Sequence, residues 1–188
     1  MYTDLRVKDA DVLGGRLPLL YIDDSEDDRI IIQAVIRRTK TRFTLYTADN
    51  PESAAAHFQT PAISPGQNLH PFPALVLLDY KLGIQTAADF LYWLRVRMQI
   101  SSIPVIMYSG SSGSRHVSEC YASGANHFLR KGDTLSAIQT IFSTLNHCMS
   151  FTPPRFGQLI ELPEYEPDPG TGEQLFRTKL NPEKTALV

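Results

Sequence analysis

A repeating order of apolar runs and helix-like segments constrains this sequence more than any other feature. Each short apolar run is followed by a segment in which apolar residues recur at helical spacing. The predicted strands are Pro18–Ile22, Arg42–Ala48, Ala74–Asp79, Ile103–Ser109 and Asn126–Lys131. The predicted helices lie at 28–39, 50–58, 86–98, 114–124 and 133–149. Alternating strands and helices form a parallel sheet with helices on both faces, which predicts an α/β fold.

The composition favours one domain and excludes several classes of function. The 188 residues are 43% hydrophobic, enough for one core, and carry a formal net charge of -2. Proteins that bind nucleic acids without sequence preference usually carry a positively charged surface, and a net charge of -2 gives no support to such a function. No apolar run opens the chain or reaches the length of a membrane span, so we expect a cytoplasmic protein. Cys120 and Cys148 lie in predicted helices, where we expect buried thiols rather than a disulfide or a metal pair.

Charged and polar side chains gather where the predicted strands end. These residues are Asp23, Asp24, Asp79, Ser109 and Lys131. The carboxyl ends of parallel strands share one edge of the sheet, which is where ligands bind. Three unpaired carboxylates there raise each other's pKa, and a hard cation such as Mg²⁺ removes that conflict. A carboxylate beside Mg²⁺ and a lysine can act as a nucleophile and form an aspartyl phosphate.

The sequence resembles the receiver domain of bacterial two-component response regulators over about Leu17–Met149. The matching motifs are "DD" after the first strand, "LLD" ending the third, "YSG" ending the fourth and "GANHFLRK" entering the fifth. Ser109 and Lys131 follow Asp79 by 30 and 52 positions, the spacing that this family shows. The resemblance implies a flavodoxin-like (βα)5 doubly wound sheet of order 2-1-3-4-5, with Asp79 as phospho-acceptor and metal ligand.

The resemblance also implies roles for the neighbouring residues. Asp24 becomes a direct Mg²⁺ ligand, and Asp23 binds the metal through water. The backbone carbonyl of Lys81 becomes a further ligand. Phe128 matches the aromatic switch residue, which rotates when Ser109 moves to the phosphate. Three positions depart from the family pattern: Gly83 and Gly132 replace usual prolines, and Ala87 replaces a usual glycine. The departure at Gly132 leaves the isomer of the Lys131–Gly132 bond open, because a cis bond before a non-proline residue is costly.

The resemblance predicts a single-domain response regulator. It would accept a phosphoryl group on Asp79 from a sensor histidine kinase, such as a bacterial phytochrome, and signal by protein contact. It would lose the phosphate slowly by itself, and it would not be a dedicated enzyme. The alternative is a receiver-like interaction or dimerisation module that needs no phosphate. A phosphohydrolase on the same fold is disfavoured, because Lys81 stands where that family has a second aspartate.

Two segments lie outside the repeating units. Residues 1–16 form an N-terminal extension, and residues 150–188 form an extended C-terminal tail rich in Pro and acidic residues. Two tail segments, 158–162 and 173–180, are predicted as strands joined by a turn at 163–172. The tail is predicted to be a β-hairpin or the arm of a homodimer. Helix N-caps are predicted at Ser25, at Asn50, and at Asp133 or Thr134.

Overall fold

The computed structural model describes residues 16–58, 71–110, 114–151, 164–167 and 174–177. The strands are β1 (Leu17–Ile22), β2 (Phe43–Ala48), β3 (Leu75–Leu78), β4 (Lys81–Leu82), β5 (Gln85–Thr86), β6 (Val105–Ser109), β7 (His127–Arg130), β8 (Glu164–Pro167) and β9 (Gln174–Arg177). The helices are α1 (Glu26–Arg38), α2 (Pro51–Ala55), α3 (Ala87–Tyr92, continued by a π-helical turn at Trp93–Arg97), α4 (Ser114–Ala122) and α5 (Leu135–Phe151).

Five parallel strands form the central sheet in the order β2-β1-β3-β6-β7. Strands β4 and β5 pair only with each other, as a small antiparallel hairpin after β3. The five long strands therefore follow the predicted order 2-1-3-4-5, and the flavodoxin-like doubly wound fold is confirmed. Strand β1 lies between β2 and β3, and β6 lies between β3 and β7, so β1, β3 and β6 are internal strands.

The central strands bury both of their faces. Every residue of β1 is buried, and successive side chains point to opposite faces of the sheet. Leu19 and Tyr21 join a core with α1 and α5, whereas Leu20 and Ile22 join a core with α2, α3 and α4. This explains why the strand sequences are continuously apolar instead of alternating.

Side chains cap the helices at the predicted positions. Ser25 accepts a hydrogen bond from the Asp28 amide, and Asn50 accepts one from the Ser53 amide. Thr134 accepts one from the Ala137 amide, which selects it over Asp133 as the cap of α5. Both cysteines are free thiols; Cys120 is buried, as predicted, whereas Cys148 is only half-buried.

Two details of the fold differ from the sequence prediction. The helix predicted at 86–98 changes to a π-helical turn at Trp93, where the Arg95 guanidinium donates hydrogen bonds to the carbonyls of Ile100, Ile103 and Gly124. These bonds hold the end of the helix against the loops that flank β6 and β7.

In the tail, β8 and β9 form an antiparallel pair, as predicted for a hairpin. However, β8 lies at Glu164–Pro167, inside the stretch predicted as a turn. Pro169 and Gly170, residue types that favour turns, follow β8 in the sequence, so the strand lies later in the chain than the apolar pattern indicated. The first strand predicted, 158–162, lies outside the described residues.

Within the described ranges, no helix combines the length and the apolar character that a membrane crossing requires.

Candidate functional site

Three carboxylates converge where β1 and β3 end. Each of Asp23, Asp24 and Asp79 places an oxygen within 4.8 Å of the others. The sheet fixes this geometry, because the Asp79 amide donates to the Ile22 carbonyl at 2.9 Å and the Asp23 amide donates to the Ala48 carbonyl at 3.0 Å. Asp23 and Asp79 are buried, whereas Asp24 is exposed. The predicted clustering of these carboxylates is therefore observed.

Lys131 enters the same cluster from the end of β7. Its ammonium lies 2.6 Å from Asp23 Oδ2, 3.0 Å from Asp79 Oδ1 and 2.7 Å from Asp28 Oδ2. Burial by itself lowers the pKa of a lysine, but the hydrogen bonds and charges of these carboxylates raise the pKa of Lys131 above its ordinary value. Lys131 is therefore a permanent cation within reach of any group on Asp79.

The Asp79 carboxylate is held through both oxygens. Oδ1 contacts the Lys131 ammonium, and Oδ2 accepts a hydrogen bond from the Lys81 amide at 2.8 Å. Burial raises the pKa of Asp79, the Lys131 charge and the Lys81 amide lower it, and the net direction is upward. Burial is the largest cause, and the charge of Asp23 adds to the rise. The Asp79 carboxylate is therefore less solvated than a surface carboxylate, with 10% of its side chain exposed.

The loop after Asp79 connects it to Asp24. The Gly83 amide donates to Asp24 Oδ2 at 3.0 Å, across 59 positions of sequence. Gly83 has a φ of 67°, in the left-handed region that favours glycine, which accounts for glycine at a position where the family usually has proline. The Lys81 amide makes a contact with Asp79, whereas the role of the Lys81 carbonyl as a metal ligand stays a prediction.

Ser109 and Phe128 lie on the two strands beyond β3. Ser109 ends β6, is buried, and its carbonyl accepts a hydrogen bond from the Lys131 amide at 2.9 Å. It thus lies on the strand between the one that ends at Asp79 and the one that leads to Lys131. Phe128 pairs in register with Met107 and is buried in the same core as Cys120. The side chain of Phe128 is directed inward in this structure.

Tyr80 extends the site toward α4. Its ring stacks on His116 with a centroid distance of 4.8 Å, and its hydroxyl donates to Glu119 at 3.0 Å. Both contacts are with α4, and Tyr80 is bonded directly to Asp79. The residue next to the candidate nucleophile is therefore attached to a helix at two points.

Gly132 follows Lys131 and fits closely against α5. A Cβ atom at this position would lie 3.0 Å from the Ile138 amide nitrogen and 3.0 Å from Ala137 Cβ. No cis peptide bond occurs in the described part of the chain, so the Lys131–Gly132 bond is trans. The absence of a side chain at Gly132 lets the loop that carries Lys131 pack against the helix.

The sequence interpretation missed three residues at this site. Asp28 binds Lys131, the Tyr21 hydroxyl donates to Asp23 Oδ2, and the Arg29 guanidinium donates to the Asp23 carbonyl. One signal could have identified Tyr21, because it is the only polar side chain in the run "LPLLYI". Asp28 follows Asp24 by one helical turn, a spacing that places both near the same end of α1.

The donor set fits a hard divalent cation. Three carboxylates, those of Asp23, Asp28 and Asp79, pair with the Lys131 ammonium, and Asp24 lies beside Asp23 and Asp79, so negative charge remains after the ion pairs form. Carboxylate oxygens are the ligands that Mg²⁺ and similar cations prefer. The same cluster, with a nucleophilic carboxylate beside a fixed ammonium and a buried hydroxyl, is suited to receive a phosphoryl group.

Comparison with known proteins agrees with this geometry. No protein-family model matches the chain. Two-component response regulator ORR3 of Oryza sativa is 28% identical over 113 residues, which cover 60% of this chain and 78% of that protein. Two-component response regulator ORR7 of Oryza sativa is 27% identical over 113 residues. The match covers 60% of this chain and spans about half, 49%, of that rice protein.

Solved structures share the fold. Response regulator RPA3017 in red light signalling of R. palustris superimposes with a TM-score of 0.64 at 22% identity, covering 73% of this chain and 96% of that one. The phosphorylated cyanobacterial phytochrome response regulator RcpA gives 0.61 at 19% identity, with the same coverage. The Mn²⁺-bound form of response regulator Rcp1 gives 0.54 at 23% identity, covering 72% of this chain and 93% of that one.

The resemblance to receiver domains of response regulators is thus confirmed. The curated relatives are two-component response regulators, and the structural neighbours are receiver domains. The chain therefore has the receiver-domain fold.

Proposed function

We propose that this chain is a response regulator that accepts a phosphoryl group on Asp79 and passes the change on by protein contact. One observation carries the proposal: Lys131 Nζ lies 3.0 Å from Asp79 Oδ1, inside a cluster of three carboxylates at the carboxyl edge of the sheet. The nucleophile, the cation for the incoming phosphoryl oxygens and the carboxylates for a metal lie together.

The chemistry follows from the residues present. A carboxylate oxygen of Asp79 attacks the phosphorus of a phosphohistidine, a P–O bond forms, and the P–N bond breaks as imidazole leaves. Lys131 already contacts Asp79 and stabilises the negative charge that the phosphoryl group brings. Ser109, on the strand between them, donates a hydrogen bond to a phosphoryl oxygen. We expect one phosphoryl group per chain and slow loss, without multiple turnover.

We further propose Mg²⁺ as the cofactor, held by Asp23, Asp24 and Asp79 with the Lys81 carbonyl. A bound Mg²⁺ would neutralise charge on the phosphoryl oxygens. The exclusively oxygen donor set and the Mn²⁺ bound by the neighbour Rcp1 support a hard divalent cation.

Phosphorylation by a small phosphodonor tests the proposal. With acetyl phosphate and Mg²⁺, intact-mass measurement should show one added phosphate on the wild type and none on Asp79→Asn. Asp133→Asn is the matched control, because Asp133 is an exposed aspartate whose side chain is 81% accessible. This control should gain the phosphate normally. Failure of the wild type to gain phosphate with several donors would contradict the proposal.

We propose a sensor histidine kinase as the donor, with phytochrome-type kinases as the first candidates. The neighbours RcpA and RPA3017 are a phytochrome response regulator and a regulator in red light signalling. Phosphotransfer from radiolabelled kinase should be faster from a phytochrome-type kinase than from an unrelated one. If phosphotransfer from the phytochrome-type kinase is no faster than from the unrelated kinase, a phytochrome-type kinase is not the partner. The proposal places the chain in the cytoplasm, which cell fractionation tests.

We also propose a homodimer in which the tail contributes. The paired strands β8 and β9 support an ordered tail segment that can contact a second surface. Truncation after Phe151 leaves α5 intact and removes both strands. Sedimentation should show a dimer for the full chain and a monomer for the truncated one. If the truncated chain sediments as a dimer like the full chain, the tail is not needed for dimerisation.

One observation favours an alternative function, an interaction module that needs no phosphate. Lys131 already forms ion pairs with Asp23, Asp28 and Asp79, so the site is partly neutralised without a ligand. Under this alternative, Asp79→Asn and wild type bind the same partner equally, with or without phosphodonor. A phosphodonor-dependent change in affinity, lost in Asp79→Asn, supports the main proposal instead.

A further inference from the structure

Tyr21 is a polar side chain in a strand that is otherwise apolar. It is fully buried in the middle of the sheet, two residues before Asp23 on β1. Residues two apart on a strand point to the same face, so the Tyr21 ring and the Asp23 carboxylate lie side by side. The Tyr21 hydroxyl donates a hydrogen bond to Asp23 Oδ2.

The Asp23 carboxylate is fixed by three donors from three parts of the chain. Oδ2 also accepts from the Lys131 ammonium at 2.6 Å, and Oδ1 accepts from the Ser25 amide at 2.9 Å. An ionised carboxylate has about four acceptor positions, so one remains for a ligand or water. Of these three donors, Lys131 also binds Asp79, so it is the one that a phosphoryl group on Asp79 would draw away.

A second buried tyrosine, Tyr108, lies beside Tyr21, and its hydroxyl finds no comparable hydrogen-bond acceptor in the part of the chain that the structure describes. Its ring contacts the Tyr21 ring edge-on, with centroids 6.1 Å apart, and it is equally buried. The Gly132 amide approaches the Tyr108 hydroxyl and offsets part of the rise in its pKa. Even so, the hydroxyl has no hydrogen bond of normal geometry among the described residues.

The chemistry of Tyr21 suits a donor that stays protonated. A tyrosine hydroxyl is protonated at neutral pH, so Tyr21 can donate to the Asp23 carboxylate. A buried hydroxyl without a hydrogen-bond partner costs folding free energy. The hydrogen bond to Asp23 removes this cost for Tyr21 and makes a tyrosine tolerable in an otherwise apolar strand.

We propose that Tyr21 is a positioning residue for the metal site. It holds the Asp23 carboxylate in one orientation and keeps Oδ2 hydrogen-bonded when Lys131 turns to a phosphoryl group on Asp79. This inference rests on the proposed function, because it concerns the same cation and the same phosphoryl group. Partners behind a metal-binding carboxylate typically change metal affinity by about 10- to 100-fold when they are removed.

The test compares two phenylalanine variants by titration calorimetry with MgCl₂. Tyr21→Phe should raise the Mg²⁺ dissociation constant by about tenfold or more. Tyr108→Phe removes the adjacent buried hydroxyl, which makes no hydrogen bond to Asp23, and should stay within about twofold of wild type. In an Asp23→Asn background, Tyr21→Phe should change the constant little further, because a positioning residue acts only through its partner. Equal constants for wild type and Tyr21→Phe would overturn the inference.

A second measurement needs no substitution at Tyr21. With ¹³C-labelled tyrosine in the wild-type chain, the Tyr21 Cζ resonance should shift on Mg²⁺ saturation and the Tyr108 Cζ resonance should not. An unmoved Tyr21 signal overturns the inference even if Tyr21→Phe does not fold. A different result would contradict the proposed function itself: a wild type that binds no Mg²⁺ and takes up no phosphate. At saturating Mg²⁺, Tyr21→Phe should still gain one phosphate.

Discussion

Lys131 Nζ lies 2.7 Å from Asp28 Oδ2, which connects the loop after β7 to the first turn of α1. Asp28 is not one of the carboxylates predicted from the strand ends, which are Asp23, Asp24 and Asp79. It binds the same ammonium that contacts the candidate phospho-acceptor. Asp28 therefore competes with any group on Asp79 for the charge of Lys131.

Replacement of Asp28 by Asn should weaken the fold slightly and leave Lys131 paired with Asp23 and Asp79 alone. The Asp28 side chain is 37% exposed, so the ion pair contributes about 0.2–1 kcal/mol. Asp27→Asn is the matched control, because Asp27 lies in the same first turn and is exposed. Both variants lose a favourable charge at the helix N-terminus, and only Asp28→Asn loses the pair. Urea midpoints at low and high salt measure the difference, which should shrink with salt. Identical midpoints for the two variants would count against the pair.

Asp79→Asn should stabilise the metal-free protein at neutral pH. Burial raises the pKa of Asp79, so the folded state binds its proton more tightly than the unfolded state. Stability then falls as pH rises through this range, because ionisation is easier in the unfolded chain. Asparagine removes that loss. In EDTA at pH 7 the variant should have the higher urea midpoint, and the gap should close as pH falls and Asp79 becomes protonated. A wild type as stable as the variant at pH 7 would mean that the Lys131 pair outweighs burial.

Removal of Mg²⁺ should lower the stability of the wild type. A ligand that binds only the folded state stabilises it by about 2.7 kcal/mol at one hundred times its dissociation constant. The difference between urea midpoints with Mg²⁺ and with EDTA measures this effect. Asp24→Asn should reduce the difference strongly, whereas Asp49→Asn, outside the carboxylate cluster, should not. A wild-type midpoint that ignores Mg²⁺ would argue against the metal site.

Gly132→Ala should destabilise the protein by about 1–3 kcal/mol, because the added methyl group would crowd α5 and force a small shift of the loop or the helix. The expected Cβ contacts are 3.0 Å to the Ile138 nitrogen and 3.0 Å to Ala137 Cβ. Gly110→Ala is the control, since a Cβ at Gly110 would meet nothing within 4 Å. This control should stay within about 0.5 kcal/mol of wild type. Chemical denaturation measures the free energy of unfolding of both variants. An unchanged value for Gly132→Ala would show that the loop can move away from α5.

The sequence predicts the sheet and the residues at its edge because both depend on regular periods. Parallel strands that alternate with helices must present their carboxyl ends together, so Asp23, Asp79 and Lys131 follow from their places in the pattern. The cap at Ser25 was likewise predictable, since it depends only on local chain geometry. Such features need no knowledge of how distant side chains pack.

The contacts that were missed depend on tertiary packing. Nothing in the chain spacing selects Asp28 over its acidic neighbours as the partner of Lys131, because the choice depends on how α1 lies against the loop after β7. The hydrogen bond from Tyr21 to Asp23 depends on the rotamer of a buried ring. In the tail, β8 lies later in the chain than the apolar pattern placed it, because β-strand preference depends on pairing more than on local sequence.

The stacked ring of Tyr80 has a consequence for natural variation. Tyr80 is bonded to Asp79, and its ring and hydroxyl contact His116 and Glu119 on α4. A substitution at either helix position therefore changes the surroundings of the backbone beside Asp79 without altering any carboxylate of the cluster. Under the proposed function, the lifetime of a phosphoryl group on Asp79 would then diverge among related chains through changes on a helix surface while the reactive groups stay the same.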